Sequence, residues 1–115
     1  MIAAGWGHSL ALSEEGVVYS WGYGNDGQLG HGSKNNEKFP TLVHHDKSIK
    51  KIYAGHSHSG FIDDNNDYYA FGFNQDYRLM MTSEKEVSSP KRVKVKNVRK
   101  AALGVSHSCL LTGDG

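Results

Sequence analysis

The sequence predicts an all-β chain of short antiparallel strands arranged as repeating blades. Three observations predict it. The apolar residues alternate in short runs instead of following a 3.6-residue period. The 115 residues hold 14 glycines but two prolines, with Asn, Asp and Ser gathered between the apolar runs as turn formers. A pattern starting near Ile2 returns at Ile52 and again near residue 101, a period of about 50 residues.

Shifted by one period, Ile2, Ala4, Gly5, His8 and Ser9 fall on Ile52, Ala54, Gly55, His58 and Ser59. The match continues through Tyr19 on Tyr69, Gly22 on Gly72, Asp26 on Asp76, Leu29 on Leu79, Pro40 on Pro90 and Val43 on Val93, with Trp21 on Phe71. Gly55, Ser57, His58 and Ser59 then meet Gly104, Ser106, His107 and Ser108. The chain therefore divides into repeats at 1–49 and 50–98 and a partial third at 99–115.

Each full repeat offers four strands, expected at 2–4, 8–12, 17–22 and 39–43 in the first and 50–54, 57–62, 68–73 and 91–96 in the second. The third offers strands at 98–103 and 107–111. Four antiparallel strands per period read as a propeller blade, giving two blades and the start of a third within a larger propeller. Tyr19 with Trp21, and Tyr69 with Phe71, fall on one face and are expected to fill the space between stacked blades. Gly22 and Gly72 are expected to permit a bulge or a close backbone approach. The turn 13–16 uses glycine, whereas 64–67 relies on the tolerance of Asn and Asp for left-handed backbone.

Thirteen basic and 12 acidic residues leave a net charge of +1, which offers no field for nucleic acid or an anionic membrane. No apolar run approaches the roughly 20 residues of a membrane-spanning helix, and no signal pattern opens the chain. With one cysteine, Cys109, there is no disulfide framework. An intracellular protein, cytoplasmic or nuclear and not secreted, is expected.

Gly22-Tyr23-Gly24-Asn25-Asp26-Gly27 spells a dinucleotide fingerprint after a predicted strand, but the glycine-rich residues that follow cannot start the helix on which a pyrophosphate rests. The reading is a turn, with no cofactor. His8, His58 and His107 recur at one place in each repeat, so each is expected to bond its own blade's backbone and not to converge on a metal. Cys109 and His107 lack a third group to orient a nucleophile, which leaves no catalytic residue. Arg92, Lys94 and Lys96 alternate with Val93 and Val95 as on a half-buried outer strand, where lysine discourages edge pairing.

The stretches Ala4-Gly5-Trp6-Gly7-His8-Ser9-Leu10-Ala11-Leu12 and Val18-Tyr19-Ser20-Trp21-Gly22-Tyr23-Gly24-Asn25-Asp26-Gly27-Gln28-Leu29-Gly30-His31-Gly32 resemble a regulator of chromosome condensation repeat. In the second copy Arg78, Met80 and Met81 depart from that pattern. The resemblance implies a seven-bladed propeller, which two and a part repeats do not close alone, and the 115-residue chain is not expected to persist as a folded monomer. Kelch and WD repeats recede, since neither a Gly-Gly nor a Trp-Asp pair occurs.

The expected function is a non-catalytic interaction or scaffold module whose partners are proteins or further blades. The resemblance also implies two alternatives, guanine-nucleotide exchange on a small GTPase and chromatin binding, the latter disfavoured by the charge. Partner-binding residues are expected on the turns and long loops above the rigid sheets: Trp6, Tyr23, His56, Tyr77 and Arg78.

Overall fold

A computed structural model describes residues 1–74, 78–79 and 84–113. Three antiparallel sheets follow one another along the chain, and the described residues contain no helix. The first sheet joins β1 (Ile2–Ala4), β2 (His8–Leu12), β3 (Val18–Gly22) and β4 (Glu37–Val43) in sequence order. The second repeats that order with β5 (Ile49–Ala54), β6 (His58–Asp63), β7 (Tyr68–Phe73) and β8 (Glu86–Arg92). β9 (Val98–Leu103) and β10 (Ser108–Thr112) pair as the third. All-β blades are thus what the chain forms. The turn after Gly22 leads into an irregular loop and not a helix, so the fingerprint glycines serve a turn.

Alternation along the strands puts one side of each sheet against the next sheet. Leu10 and Val18 of the first blade join Phe61, Phe71 and Ile52 of the second, and Ile62, Tyr68 and Ala70 continue the core toward Val98 of the third. β1, β5 and β9 pack side by side as the inner strands. β4 and β8 lie outermost, which is where Pro40 and Pro90 are tolerated, since an edge strand has backbone positions that need no donor.

Gly22 and Gly72 sit at matching bulges with φ of 106° and 116°. A Cβ there would stand 2.6 Å from the carbonyl oxygens of Gly7 and Ser57 respectively, so both the left-handed backbone and the close approach require glycine. The two hairpin turns reach left-handed geometry by different residues, Gly16 in the first and Asn66, at φ 63°, in the second. Asp63 braces the second turn by accepting from the backbone N–H groups of Asn65 and Asp67, while its other oxygen meets His45 Nε2 at 3.1 Å.

Two expectations need correction. The outer strand of the second blade runs over Glu86–Arg92, earlier than 91–96, because Gly72 pairs with Val87 and Tyr69 with Arg92. Val93 and Val95 are still turned inward, but in the connection to the third blade, where Val93 N–H donates to Tyr68 O at 2.8 Å. Phe71 is buried against the first blade and Tyr69 packs on Phe61 and His45, while Tyr19 and Trp21 occupy the equivalent face of the first sheet, turned away from the second, and are partly exposed. Finally, the imidazoles of His8 and His58 bond serines of the next blade and not the backbone of their own.

Candidate interaction rim

The turns between the first two strands of each blade lie at one end of the structure and share a frame. Gly5, Gly55 and Gly104 each donate to the carbonyl of the histidine three residues on, His8, His58 and His107, at 2.8 Å. The imidazole folds back over its glycine so closely that a Cβ on any of the three glycines would lie 2.3 Å from the histidine Cε1. Glycine is therefore the residue that lets the histidine lie flat and reach sideways.

His8 Nε2 meets Ser59 Oγ at 2.8 Å, and Ser59 Oγ donates to Gln28 O at 2.8 Å. His58 Nε2 meets Ser108 Oγ at 3.0 Å, and Ser108 Oγ donates to Arg78 O at 2.6 Å. A serine hydroxyl has one proton, and the carbonyl takes it; the hydrogen-bond pattern thus assigns the imidazole proton to Nε2, which donates to the serine. Nδ1 of His8 and His58 is buried without a hydrogen-bond partner among the described residues. Burial pushes both histidines down to about 4, and for His58 the Arg78 guanidinium acts in the same direction. Each junction between blades is locked by a neutral histidine.

The same serines hold the long loops. Gln28 and Leu29 are buried, Ser20 Oγ donates to Leu29 O at 2.6 Å, and Gly32 N–H donates to Ser88 O of the next blade's outer strand at 2.8 Å. Lys34 and Glu86 pair across the same junction at 2.9 Å. The loop after β3 is therefore largely mortar between blades, a role that its glycine and glutamine content did not disclose.

On this frame sit the residues that differ between turns. Trp6 is 74% exposed and Val105 63% exposed, with His56 half-buried between them in sequence and in space. The Trp6 and His56 rings stack at 5.3 Å and 18°. Trp6 N–H donates to His56 O and His56 N–H to Gly104 O, both at 3.3 Å. Together with Ala4, Ala54 and Leu103, these turns line an open groove of about 360 Å³. Tyr23, 39% exposed, joins the same end through its N–H to Gly7 O at 2.8 Å.

Of the residues expected to bind a partner, the structure thus gathers Trp6, Tyr23 and His56. Tyr77 lies outside the described residues. Arg78, expected on an exposed loop, is only 6% exposed: its guanidinium lies 4.9 Å from the centre of the Phe73 ring and donates to Val105 O at 2.5 Å. Val105 was visible in the sequence only as the third variable turn position. Among the described residues no group of three or more His, Cys, Asp or Glu could hold a metal ion.

Comparison with known proteins agrees with this architecture. The model of the regulator of chromosome condensation (RCC1) repeat matches residues 15–62 and 65–111. The RCC1 domain-containing protein RUG3, mitochondrial, of Arabidopsis thaliana is 42% identical over 76% of this chain, which covers 20% of that protein. The human E3 ubiquitin-protein ligase HERC2 is 36% identical over 82% of this chain and 2% of its own length. Among solved structures, human WBSCR16 superposes with a TM-score of 0.89 at 29% identity, over 100% of this chain and 31% of that one. Prp20p from Saccharomyces cerevisiae, whose binding to Gsp1p and histones has been described, gives 0.85 at 26% identity, over 99% and 32%. The chain spans less than a third of each of these relatives, and it belongs to the RCC1 repeat family.

Proposed function

We propose that the chain acts without catalysis, as the part of an RCC1-type propeller that presents the rim of Trp6, His56 and Val105, flanked by Tyr23, to a protein partner. One observation carries this reading. Three turns share a Gly-to-His frame, their third position holds only Gly7, Ser57 and Ser106, and at the second position, where all three differ, stand two strongly exposed apolar side chains and a stacked imidazole. A rigid aromatic group on a fixed frame gives contact area at low entropic cost, as interface anchors do. The match to the HERC2 ligase spans 2% of that protein and supplies no catalytic group to this chain.

The relatives support a choice of partner class. Prp20p binds Gsp1p and histones, which supports both a small GTPase and histones as partners here. Histones regain weight that the near-neutral charge had removed; free nucleic acid does not. An intracellular location goes with either partner. The test is titration of the protein, carrying Trp21→Phe so that Trp6 reports alone, with a nucleotide-loaded small GTPase and separately with histones. The expected result is a saturable change in Trp6 fluorescence with one of them, weakened at least tenfold by Val105→Ser, about the loss expected for one interface anchor. Binding indifferent to Trp6→Ala and Val105→Ser would refute the rim. Faster nucleotide release on binding would establish exchange activity, the second reading.

A further inference from the structure

The two junctions between blades are not tied in the same way at the rim. At the first, Trp6 N–H donates to the carbonyl of His56. At the second, the corresponding donor, His56 N–H, bonds one residue earlier, to Gly104 O, and this slip leaves the carbonyl of Val105 to another donor. That donor is Arg78 Nη1, at 2.5 Å.

Arg78 stands where the first blade has Gln28, whose Oε1 turns back to accept Asp26 N–H at 2.9 Å and does not cross to the next turn. The longer guanidinium crosses instead. It is nearly buried, it lies over the Phe73 ring, and its own backbone carbonyl accepts from Ser108 of the third blade. Two ties thus run from one residue of the second blade to the third, one to each end of the turn's frame.

We propose that Arg78 is a positioning residue: it fixes the third rim turn, Gly104 to His107, by taking over the carbonyl of Val105 that a slipped inter-turn bond gives up. The residue that breaks the repeat pattern is then what keeps the rim in line where the repeat's own bond fails. A planar, permanently charged fork suits this place, since it can lie on an aromatic face and still donate at its edge. The site at which Val105 meets a partner rests on the rim reading above, but the fixing of the turn does not.

The test compares the protein with Arg78→Gln, which restores the first blade's residue, by amide hydrogen exchange and by NMR titration of the histidines. Loss of one charge-assisted hydrogen bond should speed exchange about tenfold at Gly104 and its turn, with Gly55 and Gly5 unchanged. The His58 imidazole, which faces Arg78, His8 and His107, should titrate at higher pH in the variant, while His8 stays where it was. If Arg78→Gln does not fold, Arg78→Lys, which keeps the charge but not the fork, is read by the same exchange pattern. Unchanged exchange at Gly104 would overturn the proposal, and so would equal loss of protection in all three sheets, which would mark Arg78 as a general stabiliser. A loosened turn with partner binding intact would leave Arg78 its role and sink the rim instead.

Discussion

His8 Nε2 and Ser59 Oγ meet at 2.8 Å across 51 positions of sequence, and the pair recurs one blade later as His58 and Ser108. The histidine that resembled a local turn residue is the clasp between neighbouring blades, and its serine partner is also the anchor of the long loop. In a double-mutant cycle, His8→Ala and Ser59→Ala should show a coupling energy of about 1 kcal/mol, as expected of one buried hydrogen bond. Additive effects, measured by denaturant titration, would mean that the two side chains merely fill space.

Acid should unlock the blades. His8 and His58 are pushed by burial from an ordinary 6.5 to about 4 in the folded chain. The neutral form is the one the fold accepts, so the stability they contribute is fully present above the unfolded value and is lost as pH falls from 6.5 toward 4. A shift of this size amounts to roughly 3 kcal/mol per histidine, enough to dominate a marginal fold. Stability measured between pH 7 and 4 should fall steeply, and His58→Gln should flatten the slope; an unaltered slope would assign the acid sensitivity to other groups.

Sequence periodicity disclosed the blades, the strand order and the glycine bulges because each leaves a mark at a fixed offset within one repeat. It did not disclose what lies across a junction. Whether a histidine bonds its own blade or the next depends on the rotation between sheets, which no spacing records. Likewise Trp21 and Phe71 occupy equivalent positions, yet the first blade covers Phe71 while Trp21 stands on the outer side of the first sheet. Phe71→Ala is therefore expected to cost about 3–5 kcal/mol and Trp21→Ala about 1 kcal/mol or less in the same chain. Comparable losses from the two would show that both rings are equally covered. Arg78 misled in the opposite sense: a charged residue in a polar loop reads as exposed, whereas the guanidinium is buried over the Phe73 ring and donates to Val105 O of the third blade, contacts that no spacing in the sequence records.

The last expectation concerns a pair of departures that compensate. Where the first blade has Leu10 and Val18, the second has Gly60 and Tyr68 at the same two repeat positions. Tyr68 is fully buried, and a Cβ added to Gly60 would stand 2.1 Å from its hydroxyl oxygen, so the ring occupies the volume that the leucine fills one blade earlier. Close packing permits either combination but not the large residue at both places. Gly60→Leu alone should destabilise by at least about 3 kcal/mol, since a leucine cannot share the space and the rigid ring has no room to turn aside. Tyr68→Val alone should cost a similar amount through the cavity it leaves, offset in part because the buried Tyr68 hydroxyl, which has no hydrogen-bond partner among the described residues, is removed with it. Combined, the two changes rebuild the first blade's pair and should recover at least half of the summed loss. Thermal unfolding of the four chains tests this: additive destabilisation in the double variant would show that Gly60 and Tyr68 do not share one packing site.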